Sequence, residues 1–145
     1  MKNLETGLKI LSSSIFALYL RTHSVHLNIV PGMNFYAIHK MLDAHWHQLI
    51  ESYDGLSEQI RALDIYAVAS LNEFSMLSMV EDERPTTDSV EMIRGLVIST
   101  EKVLGLIKEV NSIAQGHLGL QNFLQGQAQE LESQCYFLRS TLGKK

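Results

Sequence analysis

The 145-residue chain has few of the residues that mark several classes of protein. It has one cysteine, Cys135, so no disulfide can form within the chain. We expect a reducing, cytoplasmic setting in which this thiol is a small buried hydrophobe. Both of its prolines follow residue 30, which favours long uninterrupted helices. Lysine and arginine number 12 against 16 acidic residues, and the net charge of −4 excludes a general attraction to nucleic-acid phosphates.

A long apolar run is also missing. The segment 10–20 (ILSSSIFALYL) is shorter than the roughly 20 apolar residues that cross a bilayer, and three serines interrupt it. No small-residue cleavage site follows it, so it does not have the pattern of a signal peptide. Its apolar residues recur at intervals of three, four and seven, as on one face of an amphipathic helix. We therefore expect neither a membrane span nor an export signal.

Four long helices are predicted from the apolar periodicity and from the breaks between its segments. The predicted helices span about 3–26, 34–63, 88–115 and 120–143. Pro31-Gly32 ends the first, and Pro85 marks a polar linker before the third. Asp88 and Glu91 fit a variant capping box, and segment 64–79 is predicted to be a connecting helix. The pattern predicts one all-α domain, a ferritin-like four-helix bundle with a short helix between helices 2 and 3, and another kind of helical bundle is the alternative.

Chemically active side chains concentrate between Arg21 and Ile60, which hold five of the six histidines. At 100° per residue, four side chains of the second helix share one stripe about 100° wide. They are His39, Asp43, Asp54 and Glu58. Imidazole and carboxylate without thiolate suit a hard or borderline metal such as iron, and His26 can join them across the short turn. The alternative is a solvated polar face.

Three other histidines lie in the same segment. His45 and His47 flank Trp46 and are interpreted as structural residues rather than ligands. His23 precedes His26 by about one helical turn, so it is a candidate to contact His26 and orient its ring without binding the metal itself.

One copy of the second helix cannot close a metal site with these residues. His39 and Asp54 are 15 residues apart, about 22 Å along a straight helix, whereas the ligands of one ion lie within a few ångströms of each other. Two antiparallel copies related by a two-fold axis near residues 46–47 bring His39 and Asp43 of one chain close to Asp54 and Glu58 of the other. The spacing predicts two equivalent shared sites per dimer.

Several stretches resemble the ferroxidase region of Dps proteins, the mini-ferritins named for DNA protection in starved cells. The family pattern is H-W-N, a glycine-containing turn with phenylalanine, H-x-x-x-(D/E) and D-x-x-(A/S)-E-R-I. The matching stretches are His26-Leu27-Asn28, Pro31-Gly32 with Phe35, His39-Lys40-Met41-Leu42-Asp43 and Asp54-Gly55-Leu56-Ser57-Glu58-Gln59-Ile60. A weaker match continues to residues 134–140.

The resemblance implies a hollow dodecamer that binds and oxidises Fe(II) at its two-fold interfaces, preferably with hydrogen peroxide, and stores Fe(III) mineral inside. By matched position, His26, His39 and Asp43 come from one subunit and Asp54 and Glu58 from its neighbour. Iron is therefore the expected metal, and ferroxidase activity with protection from oxidative stress is the expected function.

Some positions depart from the family pattern. Leu27 replaces a tryptophan, so that any role of that ring is absent or passes to another aromatic residue such as Trp46 or Tyr53, and Gln59 replaces an arginine. Polar residues replace the acidic ones that commonly line an iron-entry pore; they are His117, Gln121 and Asn122.

DNA binding is expected to be weak at most, because few lysines lie near the termini; these are Lys2, Lys9, Lys144 and Lys145. The alternative function is a non-catalytic shell that binds DNA or another macromolecule, with zinc or no metal at the stripe.

Overall fold

Five helices make up the regular structure of the computed structural model, which describes residues 3–84 and 86–143. They are α1 (Leu4–Asn28), α2 (Phe35–Ala62), α3 (Leu71–Leu77), α4 (Ser89–Ile113) and α5 (Leu118–Thr141). The all-α prediction is confirmed, and the four long helices begin and end within two residues of their predicted bounds. Pro85, Lys2, Lys144 and Lys145 lie outside the described residues. Within these residues, no helix is long and apolar enough to cross a membrane.

The start of α4 confirms only half of the predicted capping box. The backbone N–H groups of Val90 and Glu91 donate to the Asp88 carboxylate at 2.9 and 3.4 Å. Asp88 therefore satisfies two of the amide groups that the first turn of a helix leaves free. The return bond is absent: the Asp88 N–H donates to the Thr86 hydroxyl at 3.1 Å, and the Glu91 carboxylate pairs with Arg94.

The end of α2 explains why the connection differs from its prediction. The N–H of Ile65 donates to the Ile60 carbonyl at 3.2 Å, and the N–H of Asp64 donates to the Arg61 carbonyl at 3.0 Å. These two bonds form a Schellman motif, which needs a left-handed residue after the helix. Asp64 takes that conformation, with φ of 61°, although glycine is the usual choice.

The connecting segment is therefore mostly not helical. The chain has no regular structure from residue 65 to residue 70, and the side chain of Ser70 then caps α3 by accepting from the Glu73 N–H. The predicted short helix between helices 2 and 3 is confirmed as α3, but it spans seven residues rather than 64–79, because the left-handed turn at Asp64 stops α2 and turns the chain away.

Contacts along the helices give their directions. The Val30 N–H, just after α1, donates a hydrogen bond to the Ser89 hydroxyl at the start of α4. Arg21, earlier on α1, donates to the Ser99 hydroxyl further along α4. Helices α1 and α4 are therefore antiparallel. Short turns make α1–α2 and α4–α5 antiparallel hairpins as well. Consequently α2 and α4 are parallel, and the connection between them runs the length of the bundle, as in a ferritin-like fold.

The interior contains two groups of packed apolar side chains. The larger fills the body of the bundle and includes Leu8, Leu11, Leu49, Leu56 and Val103. The smaller lies beside the α1–α2 turn and consists of Val25, Ile29, Leu42, Met92, Ile93, Leu96 and Leu138. Burying each such leucine stabilises the fold by about 1.5–3 kcal/mol. Cys135 is also buried, which raises the pKa of its thiol, so its prediction as a core residue is confirmed.

Arg21 links the segment between α2 and α4 to the helix bundle through hydrogen bonds. The Arg21 guanidinium donates to the Glu83 carboxylate at 3.1 Å, to the Ser99 hydroxyl at 3.0 Å and to the Glu81 carbonyl at 3.3 Å. It crosses α4 at Gly95, where a Cβ atom would lie 2.6 Å from Arg21 Nη2. The absence of a side chain at residue 95 thus allows one cation to hold α1, α4 and the connection together.

Candidate metal centre

The α1–α2 turn brings His26 against His39. Their rings stack with centroids 3.8 Å apart and planes at 20°. His26 Nδ1 donates to the His39 carbonyl at 2.9 Å, and His39 Nδ1 donates to the His26 carbonyl at 3.0 Å. Because α1 ends at Asn28, the His26 carbonyl has no helical N–H four residues later, and His39 supplies the missing donor. The two histidines therefore hold each other in place.

These two bonds fix the tautomer of each ring. A carbonyl oxygen only accepts, so Nδ1 carries the proton in both residues, and each neutral ring keeps a lone pair on Nε2. Metal-binding histidines in proteins usually have this arrangement, with the second nitrogen donating to a carbonyl or carboxylate. His26 and His39 are thus both prepared to bind a cation through Nε2.

Asp43 adds a carboxylate one helical turn after His39. Its Oδ1 atom lies 3.8 Å from His26 Nε2, too far for a hydrogen bond. Two ligands that are each about 2 Å from one ion lie roughly 3–4 Å apart, so this separation suits a shared cation. The His26 side chain is 8% exposed and that of Asp43 is 39% exposed, so the pair opens to solvent on the Asp43 side.

The remaining two predicted ligands lie elsewhere on α2. Asp54 and Glu58 are exposed, and the 15 residues from His39 to Asp54 correspond to about 22 Å of helix. Among residues 3–84 and 86–143, no three histidine, cysteine, aspartate or glutamate side chains converge as a metal-binding group. One chain thus pairs His26 with His39, places Asp43 near His26, and leaves Asp54 and Glu58 on its surface.

A tryptophan packs between histidines beside this site. Trp46 stacks on His23 with centroids 4.4 Å apart and on His47 at 3.6 Å. It also meets His26 edge to face at 6.2 Å. These two stacks hold the indole next to one of the candidate ligands.

Trp46 is thus the aromatic residue that lies beside the site in place of the family's tryptophan. Leu27, at that family position, is 62% exposed. The Tyr53 hydroxyl donates to the Val68 carbonyl in the connection between α2 and α3, so Tyr53 serves a structural contact. Of the two aromatic candidates named from the sequence, the structure places only Trp46 against His26.

His23 packs against Trp46 next to the site. Burial lowers the pKa of His23, its electrostatic interactions with His26 and His47 lower it further, and that with Asp43 partly opposes them. Its Nδ1 atom lies 3.5 Å from the Tyr19 hydroxyl. His23 therefore supports the site by stacking on Trp46, and no hydrogen bond joins it to His26 among the described contacts.

His45 has the structural role that was predicted for it. It is 6% exposed on the core side of α2, and burial lowers its pKa to about 4. Its carbonyl accepts from the Gln134 amide of α5 at 3.3 Å, and its ring lies near Phe137. This histidine packs α2 against α5 and faces away from the candidate ligands.

Comparison with known proteins agrees with this fold. A family model described as the ferritin-like domain matches residues 6–145. The chain belongs to the ferritin-like domain family. A "DNA protection during starvation protein" of Helicobacter pylori is 26% identical over 116 residues, covering 79% of this chain and 79% of that protein. An uncharacterized low temperature-induced protein of Nostoc is 25% identical over 129 residues, covering 86% of this chain and 72% of that protein.

Solved Dps structures superpose closely on this ferritin-like chain. Dps from Listeria monocytogenes matches with a TM-score of 0.93 at 17% identity, covering 99% of this chain and 96% of that one. Dps from Vibrio cholerae, described as a member of a broad superfamily of ferritin-like diiron-carboxylate proteins, matches with a TM-score of 0.90 at 21% identity, covering 96% and 88%. The resemblance to Dps proteins that the sequence indicated is confirmed.

Proposed function

We propose that this ferritin-like protein oxidises Fe(II) at sites shared by two subunits and stores the Fe(III) product inside a closed shell, which protects the cell from oxidative stress. The observation that carries the proposal is the pair His26 and His39, whose mutual carbonyl bonds leave both Nε2 atoms free, with Asp43 Oδ1 3.8 Å from that of His26. The description of the Vibrio cholerae relative as a diiron-carboxylate protein supports iron as the metal.

A second subunit completes the site in this proposal. Asp54 and Glu58 are exposed on the same stripe of α2 as His39 and Asp43. An antiparallel pair of α2 helices brings the two carboxylates of one chain to the histidines of the other, so each dimer has two equivalent sites. We propose that six such dimers form a dodecameric shell, as the sequence resemblance to Dps proteins implies.

The donor set suits the reaction. Imidazole nitrogen binds Fe(II) well, and carboxylates stabilise Fe(III) once it forms, which favours oxidation at the site. We propose hydrogen peroxide as the preferred oxidant. Two Fe(II) ions each lose one electron, and one peroxide takes both electrons and two protons to give two waters. Because the electrons balance in pairs, a site that oxidises two ions per peroxide releases no hydroxyl radical.

Stopped-flow measurement of Fe(II) oxidation by peroxide tests the proposal. We expect His39→Ala and Asp54→Ala each to reduce the rate nearly to that of Fe(II) in buffer, because each removes one ligand of a shared site. His117→Ala is the matched control, since His117 is an exposed histidine at the start of α5 and lies outside the proposed site. Unchanged rates in both site variants would contradict ferroxidase activity, and a stable monomer in sedimentation would contradict the shared site.

A further inference from the structure

Lys40 is a positively charged residue directly after the proposed iron ligand His39. The family pattern leaves its position open, so the resemblance to Dps proteins assigns it no role. Its side chain is exposed, and its ammonium is in no ion pair among residues 3–84 and 86–143. The ammonium lies 5.9 Å from the centroid of the Tyr36 ring, one helical turn toward the start of α2. Contacts within the described chain therefore do not explain what this charge neutralises.

Glu58 is an acidic residue of α2 in the same situation. Its side chain is exposed and is in no ion pair within the described part of the chain. The nearest basic residue along α2 is Arg61, whose guanidinium donates to the Ile65 carbonyl at 2.9 Å. In one chain Lys40 and Glu58 are 18 residues apart, about 27 Å along α2, so they cannot meet.

The dimer of the proposed function brings Lys40 of one chain close to Glu58 of the other. This step rests on the proposed function, because it uses the antiparallel pairing of His39 with Asp54 of a second chain. Counting 100° per residue from His39, Lys40 and Glu58 are both at about 100°. A two-fold axis across antiparallel helices places residues of equal angle on the same edge of the contact. Lys40 lies level with residue 53 of the second chain, five residues or about 7.5 Å from Glu58.

The tilt of helical side chains closes this gap from both ends. Side chains on a helix point toward its N-terminus, and the position of the Lys40 ammonium beside Tyr36 shows this tilt. Because the two helices are antiparallel, Lys40 and Glu58 tilt toward each other. The helix axes are about 8–10 Å apart, a distance that lysine and glutamate side chains span together. Asp54 of the second chain lies almost level with Lys40 but tilts away from its ammonium.

We propose that the Lys40 ammonium of each chain pairs with the Glu58 carboxylate of the other while the shared site is empty, and that Fe(II) displaces it. Without a cation, the carboxylates of Asp43, Asp54 and Glu58 repel one another at each site and oppose pairing of the chains. The ammonium offsets this repulsion. Fe(II) needs the same Glu58 oxygens, so the two cations compete. Lys40 is thus a positioning residue that holds Glu58 and lowers the affinity for Fe(II).

Carbodiimide cross-linking of the full chain in metal-free buffer tests the pair, because this reagent joins an amine to a carboxylate in contact with it, with loss of water. We expect mass spectrometry of the digested protein to show an amide between Lys40 and Glu58. The 27 Å between these residues in one chain means that the link joins two chains. Fe(II) added without oxygen or peroxide should suppress it. Lys40→Arg should remove it without dissociating the dimer in sedimentation, because a guanidinium keeps the charge but does not react.

Anaerobic titration calorimetry with Fe(II) measures the competition. Lys40→Met should bind Fe(II) about 2- to 5-fold more tightly than the wild type, the range that corresponds to loss of an exposed ion pair. Lys40→Arg should bind nearly as the wild type does, because it keeps the charge. In a Glu58→Gln background the gain from Lys40→Met should disappear, since the pair is already broken. Lys102→Met is the matched control, because Lys102 is an exposed lysine on α4.

The outcomes separate this inference from the proposed function. No link between Lys40 and Glu58 in a dimeric chain, with equal Fe(II) affinity in the wild type and Lys40→Met, would overturn the ion pair alone. A link in a protein whose rate of iron oxidation is unchanged by His39→Ala would support the ion pair and overturn the proposed function. A stable monomer in sedimentation would overturn both.

Discussion

Mixing two inactive variants tests whether the candidate ligands come from different subunits. His39→Ala lacks a ligand of the histidine half of the site, and Asp54→Ala lacks one of the carboxylate half. In the proposed arrangement, a dimer of one chain of each kind pairs the intact His39 of one chain with the intact Asp54 of the other. The second site of that dimer lacks both. We therefore expect activity to return when the two variants are expressed together.

The size of the recovery follows from the two-fold symmetry. Random pairing of equal amounts gives heterodimers in about half of all dimers, and each heterodimer has one intact site out of two. Iron oxidation per chain should therefore recover to about one quarter of the wild-type rate. Stopped-flow kinetics at equal total protein, with each variant alone as the baseline, measures this fraction.

A control pair distinguishes complementation from a general effect of mixing. His26→Ala and His39→Ala both remove ligands from the same half of the site, which the contacts at the α1–α2 turn define. Their heterodimer has no intact site, so no recovery is expected. Recovery in this control, or none with Asp54→Ala in heterodimers shown to form, would refute the division of ligands between chains.

Three further outcomes concern stability and charge. Gly55→Ala places a Cβ atom 2.8 Å from Phe123 and should lower the free energy of unfolding by about 1–3 kcal/mol. Gly105→Ala places a Cβ atom with nothing within 4 Å and should raise the free energy of unfolding by about 0.5–1 kcal/mol. Thermal denaturation measures both changes. Burial lowers the pKa of His45 to about 4, so the unfolded chain binds more protons between about pH 6.5 and 4. Stability should fall by about 3 kcal/mol as the pH drops through this range, and His45→Phe should flatten the dependence measured by chemical denaturation. At about 0.15 M salt, gel-shift assays should show no DNA binding, because the chain carries a net charge of −4.

The long helices were predictable because their signals are local. Apolar periodicity and Pro31-Gly32 placed α1 and α2, and Asp88 marked the start of α4. The end of α2 was predicted to within one residue. The connection after it was harder, because its left-handed residue is Asp64 rather than glycine, and nothing in segment 64–79 signals that most of it is not helical.

The candidate site was predictable in its members and not in its internal contacts. The spacing of His39 and Asp43 placed both on one face of α2, and a short turn allowed His26 to approach. The exchange of hydrogen bonds between histidine rings and carbonyls depends on where α1 ends relative to α2, which is set by tertiary packing. The stack of His23, Trp46 and His47 likewise combines two helices, so only its α2 members could be noticed in the sequence.

Because Arg21 lies so close to Gly95, the residue type at one of these two positions restricts the residue types that related proteins can have at the other. An alanine at residue 95 would displace the guanidinium from Glu83, while loss of the arginine would leave that carboxylate without its cation at a site that is 12% exposed. Relatives that keep an arginine at position 21 should therefore keep glycine at position 95. Where a larger residue occupies position 95, a shorter or neutral side chain should occupy position 21, and the acidic residue at position 83 should change with it.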